Sequence, residues 1–200
     1  MNVGAVILAG GESRRMGRDK AWVETRGQPL IVQTLATLRQ AGIEEIFISG
    51  RAGTDYSGLH CPVLVDVEPG FGPVAGIERG LHAVSSPLLL VLAVDLPKMT
   101  AAFLNQLAAH CDPLTGAVPK LNGELEPLAA IYPKRCHVLA MEFLARWRHA
   151  AREFAAACLR ERAMRTFAVS PKEAGCFENW NSPQDLGKQT GETPRPALPE

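Results

Sequence analysis

Short apolar runs alternate along this chain with segments of helical period, and that alternation limits the fold more than any other feature. Ala5–Ala9 is an apolar run ended by Gly10-Gly11. Pro29-Leu30 opens a segment in which Leu30, Ile31, Thr34, Leu35 and Leu38 recur at helical spacing, closed by Gly42. Ile46–Ile48 and Val63–Val65 are brief β-branched runs bounded by turn residues, and Pro73 to Val84 fits a helix. Leu88–Val94 is a continuous apolar run of the kind a parallel sheet buries on both faces. Thr100 is placed to N-cap a helix through His110. Strand, helix, strand, helix predicts an α/β fold: a three-layer α/β/α, Rossmann-like arrangement around a mostly parallel sheet with right-handed crossovers.

The second half is less regular. Gly116–Leu121 and Leu128–Tyr132 read as strands, Lys134 to Met164 as largely helical, and Arg165–Val169 as a late strand. Residues 1–186 are expected to form one domain. From Gly187 to Glu200 three prolines fall among Gly, Thr and Glu, and a mobile tail is expected there.

Composition removes several classes of function. Twenty-one Lys+Arg balance 21 Asp+Glu, so the chain lacks the basic surface that coating a nucleic acid demands. Apolar residues at 46% exclude whole-chain disorder. Asp95 ends the Leu88–Val94 run far short of the roughly 18 residues a membrane-spanning helix needs. The N-terminus lacks a basic n-region, and Ala5–Ala9 reads as a first strand instead of a signal peptide. Five scattered cysteines with no Cys-x-x-Cys read as reduced thiols in a cytoplasmic protein.

The chemistry gathers in Leu8-Ala9-Gly10-Gly11-Glu12-Ser13-Arg14-Arg15-Met16-Gly17-Arg18-Asp19-Lys20. This stretch directly follows the first strand, where open α/β sheets collect ligands. Its glycines let backbone N–H groups approach an anion, and Arg15 and Lys20 add charge-assisted hydrogen bonds to phosphate oxygens. Two better-known loops do not fit. A dinucleotide fingerprint needs G-x-G-x-x-G, whereas Gly10 and Gly11 are adjacent; a Walker A loop ends in Lys-Ser or Lys-Thr, whereas Gly17 precedes Arg18-Asp19.

The stretch resembles the opening signature L-A-G-G-x-S-x-R-M-G-x-D-K of the molybdenum cofactor guanylyltransferases (the MobA family), small nucleotidyltransferases of glycosyltransferase-A-like fold. Every fixed position is matched by Leu8 through Lys20. Gly27-Gln28-Pro29-Leu30 is similar to the family's G-x-P-L, Gly72-Pro73-Val74-Ala75-Gly76-Ile77 to G-P-L-A-G-I, and Asp95-Leu96-Pro97 to D-x-P. Phe177 to Leu186, with Asn179 and Asn181, is similar to the closing N-x-N-T-P-E-D-L.

The resemblance implies transfer of the GMP moiety of GTP to the terminal phosphate of molybdopterin or Mo-molybdopterin, with release of pyrophosphate. It also implies Mg²⁺ held by Asp95, a triphosphate gripped by Lys20 and Arg15, and backbone groups of Leu8, Ala9, Gly10 and Gly11 around the nucleotide. Asp66 resembles the family acid that contacts nucleotide, and Ser49 stands where the family often carries Asn. Asn179 and Asn181 are candidates for orienting the metal or the pterin substrate, and Arg152 is a candidate for the pterin phosphate. Arg152 belongs to a set with Arg146, Arg148, Arg160, Arg162 and Arg165 that reads mostly as an exposed helical face. Arg14 and Arg18 fall at variable positions and read as solvated. A phosphate monoester, with a second pKa of about 6, needs no general base to be a nucleophile. Accordingly none of His60, His82, His110, His137 and His149 is given a catalytic role.

Other readings stay open on the sequence. The same loop would serve CTP on molybdopterin, or an NTP on a sugar or alditol phosphate. A non-catalytic adaptor that meets molybdoenzyme maturation proteins is a different class, as is a nucleic-acid binder. A monomer or weak oligomer is expected.

Overall fold

The computed structural model describes residues 2–10, 20–25, 27–65 and 72–179. Residues 11–19, with Gly11 and Arg15, together with Asp66, Asn181 and residues 187–200 therefore lie outside the described residues.

The first apolar run is β1 (Val3–Leu8), buried along its whole length. A two-residue ribbon, β2 (Glu24–Thr25) with β3 (Gln28–Pro29), leads into α1 (Leu30–Gln40), whose Leu30, Ile31, Thr34, Leu35 and Leu38 form the buried face that their spacing predicts. Then come β4 (Ile46–Gly50), β5 (Val63–Val65), α2 (Gly72–Ala83) and β6 (Leu88–Ala93). Next is α3 (Ala101–Ala109), whose N-cap Thr100 accepts a hydrogen bond from the Phe103 N–H at 3.2 Å. β7 (Gly116–Leu121) turns through Asn122 and Gly123, both at positive φ, into the short β8 (Glu124–Leu125). The chain closes with β9 (Ala129–Pro133), α4 (Cys136–Ala145), α5 (Ala151–Arg160) and β10 (Met164–Ala168).

The described residues build an eight-stranded sheet in the order β10-β7-β9-β6-β1-β4-β5, with β8 on β7. β6, β1, β4 and β5 run parallel, and β10 runs parallel to β7. β9 runs antiparallel to both β6 and β7, and the short β8 runs antiparallel to β7. Strand direction is set by connections, which the apolar runs do not encode. The register aligns Leu8 with Ser49 and with Ala93, so the carboxyl ends of the central strands form one edge.

Alternation within β1 and β6 splits the core into two layers. Ala5, Ile7, Leu88, Leu90 and Leu92 face α1 and α3. Val6, Leu8, Leu89 and Val91 face α2, α4 and α5, with Tyr132 fully buried and stacked on Phe154 at 5.5 Å. Burial pushes the Tyr132 phenol far up, and its hydroxyl donates to the Pro127 carbonyl at 2.9 Å.

The segment from Lys134 to Met164 departs from a largely continuous helix. α4 stops in a turn where the Arg148 N–H bonds the Phe143 carbonyl, and Trp147 adopts a φ of 55°. α5 ends the same way, with Ala163 N–H on Cys158 O and Arg162 at 53°. Glycine usually marks such a stop; here Trp and Arg occupy it, so the sequence carries no break signal. The arginines consequently do not share one helical face. Arg146 and Arg148 lie in the break, Arg152 and Arg160 on α5, Arg162 in a turn and Arg165 on β10.

Candidate active site

The carboxyl edge of the sheet is built from the ends of β1, β4 and β6. Ser49 O accepts hydrogen bonds from both Ala9 N–H (2.9 Å) and Gly10 N–H (3.1 Å), and Leu8 O accepts from Val94 N–H at 3.2 Å. These bonds fix the start of the glycine-rich turn. They also commit the Ala9 and Gly10 N–H groups inside the protein, so what these residues offer a ligand is carbonyl oxygen. The Ser49 side chain is buried and packs under α2: a Cβ on Gly76 would come within 2.7 Å of its Oγ and 2.6 Å of Leu8 Cδ2. Glycine at 76 is what allows α2 to lie this close to the edge.

Lys20 and Asp95, 75 residues apart in sequence, meet here. The Lys20 ammonium donates to Asp95 Oδ2 at 2.7 Å, with the two side chains only 18% and 24% exposed. Lys20 opens a single 3₁₀ turn anchored by the fully buried Ala21 and by Val23 N–H on Lys20 O. Asp95 follows the all-buried β6 and precedes buried Leu96. Both backbones are thus held from below while the charged ends meet at the rim.

A second ion pair brings the C-terminal segment to the same edge. Lys98 Nζ lies 2.5 Å from Glu178 Oε2, and the neighbouring Phe177 is buried edge-on against Phe103 at 5.2 Å. Asn179, exposed, follows directly. Lys98 and Glu178 carry no functional motif of their own in the sequence; the one signal for Lys98 is its place immediately after Asp95-Leu96-Pro97. Arg152, at the start of α5, pairs with Glu124 of β8 at 2.8 Å on an exposed surface. Burial pushes the nearby Glu126 carboxyl up; Arg152 opposes that shift and Glu124 adds to it. Arg148 pairs with Glu153 at 2.9 Å and lies over the Phe143 ring. Arg165, by contrast, pairs with Asp112 at the amino end of β7, across the sheet from this edge. His137 lies 2.7 Å from Glu78, between α4 and α2.

A hard divalent cation fits Asp95. Its carboxylate already attracts a cation in the form of the Lys20 ammonium. Among the described residues no group of three or more His, Cys, Asp or Glu could hold a metal. The remaining ligands would be substrate oxygens and water, the set Mg²⁺ takes most readily.

Comparison with known proteins gives the family and the fold. The family described as MobA-like NTP transferase domain matches residues 5–166. A protein of Opitutus terrae named a probable molybdenum cofactor guanylyltransferase is 39% identical over 92% of each chain. Among solved structures, molybdopterin-guanine dinucleotide biosynthesis protein A from Archaeoglobus fulgidus superposes with a TM-score of 0.72 at 24% identity, over 92% of this chain and 95% of that one. A 2-C-methyl-D-erythritol 4-phosphate cytidylyltransferase from Thermus thermophilus gives 0.73 at 20% identity, over 96% and 98%. These two structural likenesses speak to the fold.

Proposed function

The chain belongs to the MobA-like NTP transferase family, and on that premise we propose that it transfers GMP from GTP to the terminal phosphate of molybdopterin, releasing pyrophosphate. The observation that carries the reading is the half-buried Lys20–Asp95 pair beside the glycine-rich turn. It sets a cation for the triphosphate next to a carboxylate for a divalent ion, at the edge where this fold class binds ligands.

The acceptor phosphate is already anionic at neutral pH, so the work of the site is bringing two anions together and stabilising the leaving pyrophosphate. Mg²⁺, when bound, supplies charge neutralisation on the transferring and leaving phosphates. Lys20, with Arg15, holds the triphosphate, and Asp95 orients the metal side. The Ala9 and Gly10 carbonyls complement the N1–H and N2–H donors of guanine, which adenine does not present in that pattern. Gly11 and Asp66 are assigned to the nucleotide as well, and Ser49 supports it through the carbonyl that fixes the turn. Asn179, Asn181 and Arg152 are assigned to the pterin side. We place the protein in the cytoplasm, acting as a monomer or weak oligomer. No helix among the described residues is long and apolar enough to cross a membrane, and all five cysteines are unbridged.

Pyrophosphate release measured with molybdopterin and GTP, CTP, ATP or UTP in turn tests the reading. GTP should support turnover, and Asp95→Ala should lower it by about 10²–10³-fold in a protein that still folds. Turnover with CTP and none with GTP would overturn it.

A further inference from the structure

Lys20 and Asp95 are each assigned to a different ligand, yet they hold one another. Neither backbone is free to carry its side chain away: Ala21 and Leu96 are buried beside them, and Val94 N–H is tied to Leu8 O. Exchange of partners must therefore occur by side-chain rotation within the site. We infer that the Lys20–Asp95 ion pair is a lock that makes divalent cation and polyphosphate bind as a coupled pair, the Lys20 ammonium standing in the cation's place until both arrive. This rests on the assignment of Lys20 and Asp95 in the proposed function.

The coupling follows from charge. A polyphosphate that draws Lys20 away by itself leaves the Asp95 carboxylate facing a polyanion, in a site too enclosed for water to screen it fully. A divalent cation that displaces Lys20 by itself leaves an ammonium beside a dication. Arriving together, each ligand takes the residue that the other releases, and no like charges are left in contact. Such coupling is reciprocal, and typical allosteric couplings span about 5–150-fold.

The lock predicts two gains of affinity from removing a residue of the site. Titration of nucleotide-free protein with Mn²⁺, followed by electron paramagnetic resonance, should show Lys20→Met binding at least about fivefold more tightly than the wild type. Lys20→Gln serves equally if the first variant does not fold. Calorimetry of GTP in EDTA should show Asp95→Asn binding metal-free nucleotide at least about fivefold more tightly than the wild type. Loss of either gain in a variant with a wild-type circular dichroism spectrum overturns the lock. If both gains appear but wild-type protein releases no pyrophosphate from GTP, the lock stands and the proposed function fails.

Discussion

Two carboxylates of this sheet, Asp95 and Glu45, meet opposite kinds of partner. Asp95 faces an ammonium, whereas Glu45, below the amino edge, faces hydrogen-bond donors: Ser85 N–H at 2.6 Å, Ser86 N–H at 3.1 Å and the Ser86 hydroxyl at 2.7 Å. Burial pushes the Glu45 carboxyl up, but these bonds outweigh it and hold the group below its ordinary value of 4.5. A group depressed in the folded state stabilises the fold above that value, and the contribution is lost as pH falls through the depressed one. Glu45→Gln should therefore cost about 1–2 kcal/mol at neutral pH, and urea melts of variant and wild type should converge as the solution becomes acidic. At this scale the sequence showed Lys20 and Asp95 as separate candidates. Their contact was invisible because nothing local reports a pairing across 75 residues.

Elements were legible where period and capping agree. α1 and α3 are marked by apolar spacing and by Thr100, and β1 and β6 by unbroken apolar runs. The two-residue strands β2, β3 and β8 are too short to show a period, and the stop between α4 and α5 hides behind Trp147 in a position glycine normally takes. The reversed β9 was not legible either, yet Gly116 records it. A Cβ there would overlap the Ile131 carbonyl oxygen, part of the backbone, so no rotamer can make room. Gly116→Ala should destabilise by about 3 kcal/mol through overpacking at the β7–β9 seam, read as a lower midpoint in chemical denaturation. Gly76 faces only side chains, Leu8 and Ser49, and the same substitution there should be milder.

For the whole molecule, the alternating pattern was enough to fix two helical layers on a sheet and to bring the first turn and Asp95 to a common edge. It could not show that the chain returns from β10 across that edge to dock Phe177 on Phe103 and Glu178 on Lys98. That docking has a measurable role. Phe177→Ala should cost about 3 kcal/mol for loss of a buried ring. On the proposed assignment of Asn179 to the pterin side, the KM for the pterin substrate should rise while the KM for GTP changes little; Phe177→Leu should restore most of both properties. Steady-state kinetics with each substrate varied in turn would check this.

The antiparallel β9 also divides the sheet into two territories. On one side lie β6, β1, β4 and β5 with the glycine-rich turn; on the other, β7, β8 and β10 with Arg152. The Asn122-Gly123 corner sits wholly in the second territory, where Leu121 pairs only with Glu124. On the proposed assignment of Arg152 to the acceptor, residues added at that corner would extend the acceptor side while leaving the β6-β1-β4-β5 ladder in register. A scaffold partitioned in this way can change what it modifies without relearning how to hold what it donates.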